Sequence, residues 1–115
     1  MTVTLYGIPN CDTVRKARKW LEAQGVDYRF HDFRKDGLPA DRLRAWADAV
    51  GWETLLNRRG TSWRQLPAEA REGIDAGRAL ALMAEQPTLI KRPVLEHAGG
   101  VEVGFDPARY GVLFG

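Results

Sequence analysis

Cysteine and histidine are scarce in this chain, which has one cysteine and two histidines among its 115 residues. A single cysteine excludes an intramolecular disulfide and any dithiol switch, and it suits a reducing compartment, so we expect a cytoplasmic protein. Cys11, His31 and His97 lie far apart in the sequence. Because metal ligands usually come in closely spaced pairs, we expect no bound metal.

Long hydrophobic runs and an excess of one charge are also absent. No apolar stretch approaches the ~20 residues that a membrane-spanning helix needs, and the first residues lack the positive charge of a secretory signal. Lys and Arg number 17 against 15 Asp and Glu, a balance that does not predict binding to nucleic acid. The length supports one domain with one sizeable core, and no strand or helix pattern demands a partner chain. We therefore expect a monomer without membrane or nucleic-acid partners.

The first third of the chain predicts a strand, a helix and a second strand. Apolar and polar residues alternate over 2–6 and 26–31, which is typical of half-buried strands. Between them, residues 12–24 repeat apolar positions at helical spacing, and Gly25 is a typical helix end. Because a helical crossover places two strands parallel, this is a βαβ unit. Cys11 lies in its first turn.

The middle of the chain is predicted to be mainly helical. Apolar stripes and prolines at first-turn positions favour helices at about 39–51, 67–75 and 76–85, with a short piece at 52–56. Residues 57–62 contain two arginines, a glycine and two hydroxyl side chains, and we expect them to form a basic loop.

The last third predicts two further strands and a closing helix. Residues 94–97 and 101–105 alternate again, and Ala98-Gly99-Gly100 is typical of the hairpin turn between them. Asp106 followed by Pro107 is a typical helix start. The complete order predicts an α/β fold with a mixed four-stranded sheet flanked by helices, and a helical insertion between its halves.

Cys11 is the candidate nucleophile because it stands at the start of the first predicted helix. The first N–H groups of a helix have no intrahelical partner and carry the positive end of the helix dipole, so they favour a thiolate. A free thiol with a pKa of about 8.5 is only a few per cent ionised at pH 7, whereas one near 6.5 is mostly thiolate. The alternative is that Cys11 fills core space, since cysteine is among the most buried residue types.

Three separated segments resemble one known family. They are Leu5-Tyr6-Gly7-Ile8-Pro9-Asn10-Cys11-Asp12-Thr13, Leu55-Leu56-Asn57-Arg58-Arg59-Gly60-Thr61-Ser62-Trp63 and Leu89-Ile90-Lys91-Arg92-Pro93-Val94. In this order they resemble the arsenate reductase (ArsC)/Spx family, and its YffB-like branch in particular. The resemblance implies a thioredoxin-like fold with an inserted helical subdomain. It implies a single domain over 1–115, with the thioredoxin-like core at about 1–35 and 88–115 and the insertion at about 36–87.

The resemblance also implies roles for individual residues. Cys11 matches the nucleophile of the family, Arg92 matches an arginine that binds the anion, and Pro93 matches the cis-proline position of the fold. Arg59 matches a second arginine near the sulfur, with Arg58 as the alternative in the same loop.

Further contacts are expected from the chemistry of a Cys11 thiolate. Arginine presents a planar fork of donors that suits arsenate, phosphate or a carboxylate, and its charge favours the thiolate. Asn10 and Thr13 are candidates for hydrogen bonds to the thiolate, and Lys91 with Arg59 for binding the carboxylates of glutathione. Asp12 acts in the opposite direction, because a neighbouring negative charge disfavours a thiolate.

Two departures from the family pattern narrow the expected function. Val103-Gly104-Phe105-Asp106 stands where arsenate reductases of the family carry a further anion-binding arginine, and Val14 stands where Spx regulators carry a second cysteine. We therefore expect a glutathione-dependent thiol oxidoreductase with one nucleophilic cysteine, no bound cofactor and at most weak arsenate reductase activity. Its expected partners are glutathione and glutaredoxin. The alternative is an Spx-like regulator that binds RNA polymerase through the helical subdomain without catalytic turnover.

Overall fold

The chain divides into two units in the computed structural model, which describes residues 3–114. One unit holds residues 3–37 and 92–114, and the other is Leu38–Lys91. The helical insertion expected at about 36–87 covers nearly the same residues as the second unit, and the assignment of both units to one domain stays a prediction. No helix within the described residues is both long enough and apolar enough to cross a membrane.

A mixed four-stranded sheet forms the centre of the first unit. Its strands are β1 (Val3–Gly7), β2 (Tyr28–Asp32), β3 (Val94–His97) and β4 (Gly100–Val103), in the order β2-β1-β3-β4. β1 pairs with β2 in parallel, and β3 pairs antiparallel with both β1 and β4. This arrangement confirms the predicted fold class.

Two helices, α1 (Asp12–Ala23) and α7 (Pro107–Phe114), share one core with the sheet. The ring of Tyr110 contacts Trp20 and Phe105 edge to face, with centroid distances of 5.6 and 4.9 Å. Burying an apolar side chain of this size contributes about 1.5–3 kcal/mol, so the core holds β1 and α1 firmly and with them the turn that joins them. The buried core residues are Val3, Leu5, Ala17, Leu21, Leu95 and Tyr110.

Two strands, β2 and β4, differ from their predicted bounds by one or two residues at each end, and the larger difference has a clear cause in both. β2 begins at Tyr28 because Gly25 has a left-handed φ of +69° and the Val26 N–H donates back to the end of α1 at 3.0 Å. β4 ends at Val103 because Gly104, at φ +85°, turns the chain out of the strand. In both cases a glycine sets the boundary, since glycine adopts a positive φ without steric cost.

The second unit is helical and has its own core. Leu43, Trp46, Leu55, Ala79 and Met83 are all buried within it. Its helices are α2 (Ala40–Val50), α3 (Trp52–Leu55), α4 (Thr61–Arg64), α5 (Ala68–Arg71) and α6 (Ala76–Glu85), followed by a 3₁₀ turn at Pro87–Leu89.

The helix predicted at 67–75 is wrong in length, since only α5 forms within it. Gly73 takes a left-handed φ of +60° and interrupts the helical pattern. Asp75 is extended and caps α6, because its carboxylate accepts a hydrogen bond from the Arg78 N–H at 2.9 Å. The basic loop expected at 57–62 is also shorter than predicted, because α4 begins inside it.

A short antiparallel bridge joins two distant segments of the second unit. The Asn57 N–H donates to the Leu89 carbonyl oxygen, and the Lys91 N–H donates to the Leu55 carbonyl oxygen, each at 2.8 Å. The bridge places Lys91 beside the loop that follows α3.

Candidate active site

Cys11 is the N-cap residue of α1, as the sequence predicts. Its backbone is extended (φ −97°, ψ 128°), and its carbonyl oxygen accepts the first helical hydrogen bond from the Arg15 N–H at 2.9 Å. β1 and α1 lie so close together at this turn that a Cβ on Gly7 would be only 2.8 Å from the Val14 side chain. Glycine at this position therefore allows the strand to end directly beneath the helix that begins at Cys11.

The Cys11 thiol has a pKa below its ordinary value. Partial burial is the largest single influence and raises the pKa, but four contributions oppose it. In decreasing order these are the Val14 N–H, a hydrogen bond from the Arg92 side chain, the Thr13 N–H and the positive charge of Arg92. Neither amide makes a capping hydrogen bond of full geometry with the sulfur, yet both lie in the first turn, where N-cap side chains find donors. The environment therefore favours the thiolate.

Arg92 reaches the sulfur from the segment that leads into β3. The Arg92–Pro93 peptide bond is cis, as the resemblance implies. The Pro93 carbonyl oxygen accepts a hydrogen bond from the Gly104 N–H at 2.8 Å, and the next residue begins β3 in the middle of the sheet. The sheet thus fixes the backbone from which the Arg92 side chain extends to Cys11.

Asp12 directly follows Cys11, but its carboxylate is engaged elsewhere. It forms an ion pair with Arg15, one turn further along α1. The two side chains are largely exposed, 82% for Asp12 and 53% for Arg15, so the high dielectric of water weakens the influence of the carboxylate on Cys11 further. The adverse effect expected of Asp12 is therefore offset by a residue of the same helix.

A second candidate site lies wholly within the second unit. It is an open pocket of about 460 Å³, which we call the basic pocket, and its lining residues are Glu53, Leu56, Arg58, Arg59 and Lys91. The bridge that places Lys91 beside the loop after α3 assembles the three positive charges. Such a cluster suits a carboxylate or phosphate ligand.

The two arginines of the basic pocket are held differently. The Arg58 guanidinium lies over the rings of Trp52 and Trp63, 5.7 and 5.6 Å from their centroids, which is the geometry of cation–π contacts. The Arg59 N–H donates to the Asn57 side-chain oxygen at 3.1 Å, and within residues 3–114 no hydrogen bond or ion pair engages its exposed side chain. Arg59 is therefore the better placed of the two to bind a ligand.

The residues predicted for the site fall into two groups. The first unit brings together Cys11, Thr13, Arg92 and Pro93, and the second unit brings together Arg59 and Lys91.

Some of the expected contacts stay predictions. Asn10 is exposed in the turn before Cys11, and its hydrogen bond to the thiolate stays a prediction, as does the approach of Arg59 to the sulfur. Within residues 3–114, no three His, Cys, Asp or Glu side chains lie close enough together to hold a metal ion.

The contact that sequence reasoning missed is the Val14 N–H. The helical pattern marks Val14 as a core residue, and its side chain is fully buried. Its backbone N–H nevertheless makes the largest single contribution that lowers the pKa of Cys11. The signal was present in the sequence, because the N–H groups two and three residues after an N-cap are the ones that its side chain meets.

Known proteins are similar to this chain over nearly its whole length. Residues 6–113 match the ArsC family. A solved structure of an arsenate reductase (ArsC) related protein from Brucella melitensis is 54% identical, with a TM-score of 0.80 over 99% of this chain and 95% of that one. The solved structure of a YFFB protein is 44% identical, with a TM-score of 0.95 over 98% of this chain and 99% of that one.

A more distant relative has a regulatory name. The global transcriptional regulator Spx of Streptococcus pyogenes is 28% identical over 106 residues, which are 90% of this chain and 78% of the relative. The family match includes residues of both units, and the solved relatives have a thioredoxin-like fold. The chain therefore belongs to the ArsC family, in its YffB-like branch.

Proposed function

We propose that this protein is a glutathione-dependent thiol oxidoreductase that works through the single nucleophile Cys11. The observation that carries the proposal is the convergence of the Arg92 side chain and the N–H groups of Val14 and Thr13 on the Cys11 sulfur. Thiolates are the nucleophiles of disulfide exchange. A guanidinium and a helix N-terminus stabilise the thiolate both before it attacks and when it leaves.

The proposed reaction consists of two exchange steps. The Cys11 thiolate attacks the glutathione sulfur of a disulfide between substrate and glutathione, the S–S bond breaks, and the substrate leaves as a thiolate that takes up a proton. A second glutathione thiolate then attacks the glutathione sulfur on Cys11, which releases the Cys11 thiolate and oxidised glutathione. Two electrons pass from glutathione to the substrate. Because the chain has one cysteine, the second thiol must come from outside.

Arsenate is at most a secondary substrate under this proposal. The Arg92 guanidinium presents the fork of donors that an oxyanion requires. The segment 103–106, which begins at the last residue of β4, contains no arginine, so a second guanidinium is missing at the place where the resemblance predicts one. We expect arsenate reduction to be weak beside the turnover of glutathione disulfides.

Intact-mass spectrometry tests the proposal directly. Oxidised glutathione should add one glutathione to the wild-type chain and none to Cys11→Ser, and reduced glutathione should remove it. Arg92→Ala should form the adduct more slowly at pH 7, whereas Arg29→Ala, which changes an exposed arginine of β2, should react like the wild type. A folded wild-type chain that forms no adduct would overturn the proposal.

The similarity to the Spx regulator favours a second candidate function. In this alternative, the second unit binds RNA polymerase and the protein catalyses nothing. Purified RNA polymerase would then retain the wild-type chain and Cys11→Ser equally, and neither would turn over glutathione disulfides. The Arg92 contact with Cys11 is our reason for placing the oxidoreductase first.

We further propose that the protein acts as a monomer in the cytoplasm, with glutaredoxin as an additional partner. A dimeric mass in solution would contradict the monomeric state, and fractionation of cells tests the cytoplasmic location. The rate at which glutaredoxin removes glutathione from Cys11 tests whether glutaredoxin is a partner.

A further inference from the structure

We infer that the basic pocket is a subsite for a zwitterionic α-amino acid group, and specifically for the γ-glutamyl end of glutathione. The choice of glutathione rests on the proposed function. The α-amino acid chemistry itself rests on charges of both signs that line one small volume of the second unit. The γ-glutamyl end carries an ammonium and a carboxylate on one carbon, whereas the glycine end carries a carboxylate alone.

Three charged side chains of the basic pocket have no hydrogen-bond or ion-pair partner among the described residues. Between residues 3 and 114, no hydrogen bond or ion pair engages the side chains of Glu53, Arg59 or Lys91. All three are exposed, so water solvates them in the absence of a ligand. A ligand that brings an opposite charge to each of them replaces water without first breaking an internal ion pair.

The backbone that carries these side chains is well fixed. The Lys91 N–H is bonded to the Leu55 carbonyl oxygen at 2.8 Å, and the Arg59 N–H is bonded to the Asn57 side chain at 3.1 Å. Glu53 stands on α3, two residues before the buried Leu55. A ligand therefore has to order side chains only, which keeps the entropic cost of binding low.

Glu53 determines which anion the basic pocket prefers. A carboxylate suits the Arg59 fork and the Lys91 ammonium, but so does a phosphate, an arsenate or any other oxyanion. Glu53 repels all of these, whereas it attracts a ligand that places an ammonium next to its carboxylate. Selectivity built from one repulsive group is a common device in recognition, and here it distinguishes the γ-glutamyl end from a simple oxyanion.

S-methylglutathione is a suitable probe, because it has no free thiol and cannot exchange with Cys11. Its binding to the full chain is followed by NMR chemical-shift titration and compared with that of N-acetyl-S-methylglutathione, which lacks the ammonium. Glu53→Gln should weaken binding of the first probe by about two- to fivefold, the size of an exposed ion pair, and should not weaken binding of the second. Arg59→Gln should weaken binding of both probes.

Two variants serve as matched controls. Glu85→Gln changes an exposed glutamate at the end of α6, and Arg64→Gln changes an exposed arginine at the end of α4, so both should bind like the wild type. The inference is overturned if S-methylglutathione does not bind, or if Glu53→Gln affects the two probes equally. Formation of the Cys11 adduct is measured separately. If the adduct forms but Glu53→Gln does not selectively weaken the binding of S-methylglutathione, only the subsite is refuted. If Glu53→Gln has this selective effect but no adduct forms, only the oxidoreductase function is refuted.

Discussion

Removal of the Arg92 guanidinium should raise the pKa of Cys11, because the thiolate loses both a hydrogen bond from a charged donor and a nearby positive charge. A hydrogen bond to a charged group contributes about 1.5–3 kcal/mol. Cys11 is only partly buried, and water compensates for part of the loss, so the thiolate should lose stabilisation at the lower end of this range. In the variant, burial is opposed only by the N–H groups of Val14 and Thr13.

The rate of Cys11 alkylation across pH, read by intact mass, measures this shift. Because the chain has one cysteine, every added group reports on the same sulfur. Arg92→Ala should move the mid-point of the alkylation curve to higher pH. The mid-point of Arg92→Lys should lie between those of the wild type and Arg92→Ala, because lysine keeps the charge but loses the planar fork of donors. Arg29→Ala removes an exposed arginine of β2 and should leave the mid-point unchanged.

Two results would refute this reasoning. An unchanged mid-point in a folded Arg92→Ala variant would mean that Arg92 does not act on the sulfur and that the helix N-terminus alone lowers the pKa. A wild-type mid-point at or above about 8.5 would mean that burial outweighs all of the stabilising contacts. Far-UV circular dichroism establishes that each variant is folded before its mid-point is compared.

Three further predictions concern the same turn. Arg15→Ala should raise the pKa of Cys11, since it leaves the Asp12 carboxylate without its ion-pair partner. Adding Asp12→Asn should reverse this change in the alkylation assay. A folded pKa below the unfolded value makes the Cys11 thiolate stabilising above pH ~8.5, and this stability is lost as the pH falls through the folded pKa. Denaturant titrations should therefore show that the free energy of unfolding of the wild type rises relative to that of Cys11→Ser as the pH rises from the folded pKa to about 8.5. Parallel pH curves for the two proteins would contradict this prediction. Gly7→Ala should cost about 1–3 kcal/mol in urea unfolding, because its Cβ would lie 2.8 Å from an α1 side chain, whereas Gly77→Ala, whose nearest contact is at 3.8 Å, should cost nothing.

The parts of the fold that sequence reasoning predicts well are those set by strong local patterns. Val14, Ala17 and Leu21 mark one face of α1, and all three are fully buried. Gly25 marks its end and has the positive φ that a helix end often requires. By contrast, the helix predicted at 67–75 depends on weak propensities, which a single left-handed glycine overrides.

In the candidate site too, the sequence predicts the local features and misses those that depend on contacts between distant segments. The position of Cys11 at a helix N-terminus is a local property, so the sequence alone predicts it. The basic pocket depends on a bridge between segments 55–57 and 89–91, which no periodicity reveals. The choice of Arg59 over Arg58 depends on the rings of Trp52 and Trp63, and the sequence gives no sign that these rings flank one guanidinium.

Because the chain has a single cysteine, the Cys11 thiolate must be a good leaving group as well as a good nucleophile. A lower pKa raises the thiolate fraction at pH 7 but also lowers the intrinsic nucleophilicity, with a Brønsted coefficient of about 0.4–0.5, so the gain in attack is partial. When glutathione resolves the mixed disulfide, Cys11 is the leaving group, and a lower pKa speeds that step without any opposing effect. A chain with a second cysteine would expel its substrate internally. This chain depends on an external thiol, so under the proposed function the Arg92 contact has its main effect in the step that glutathione performs.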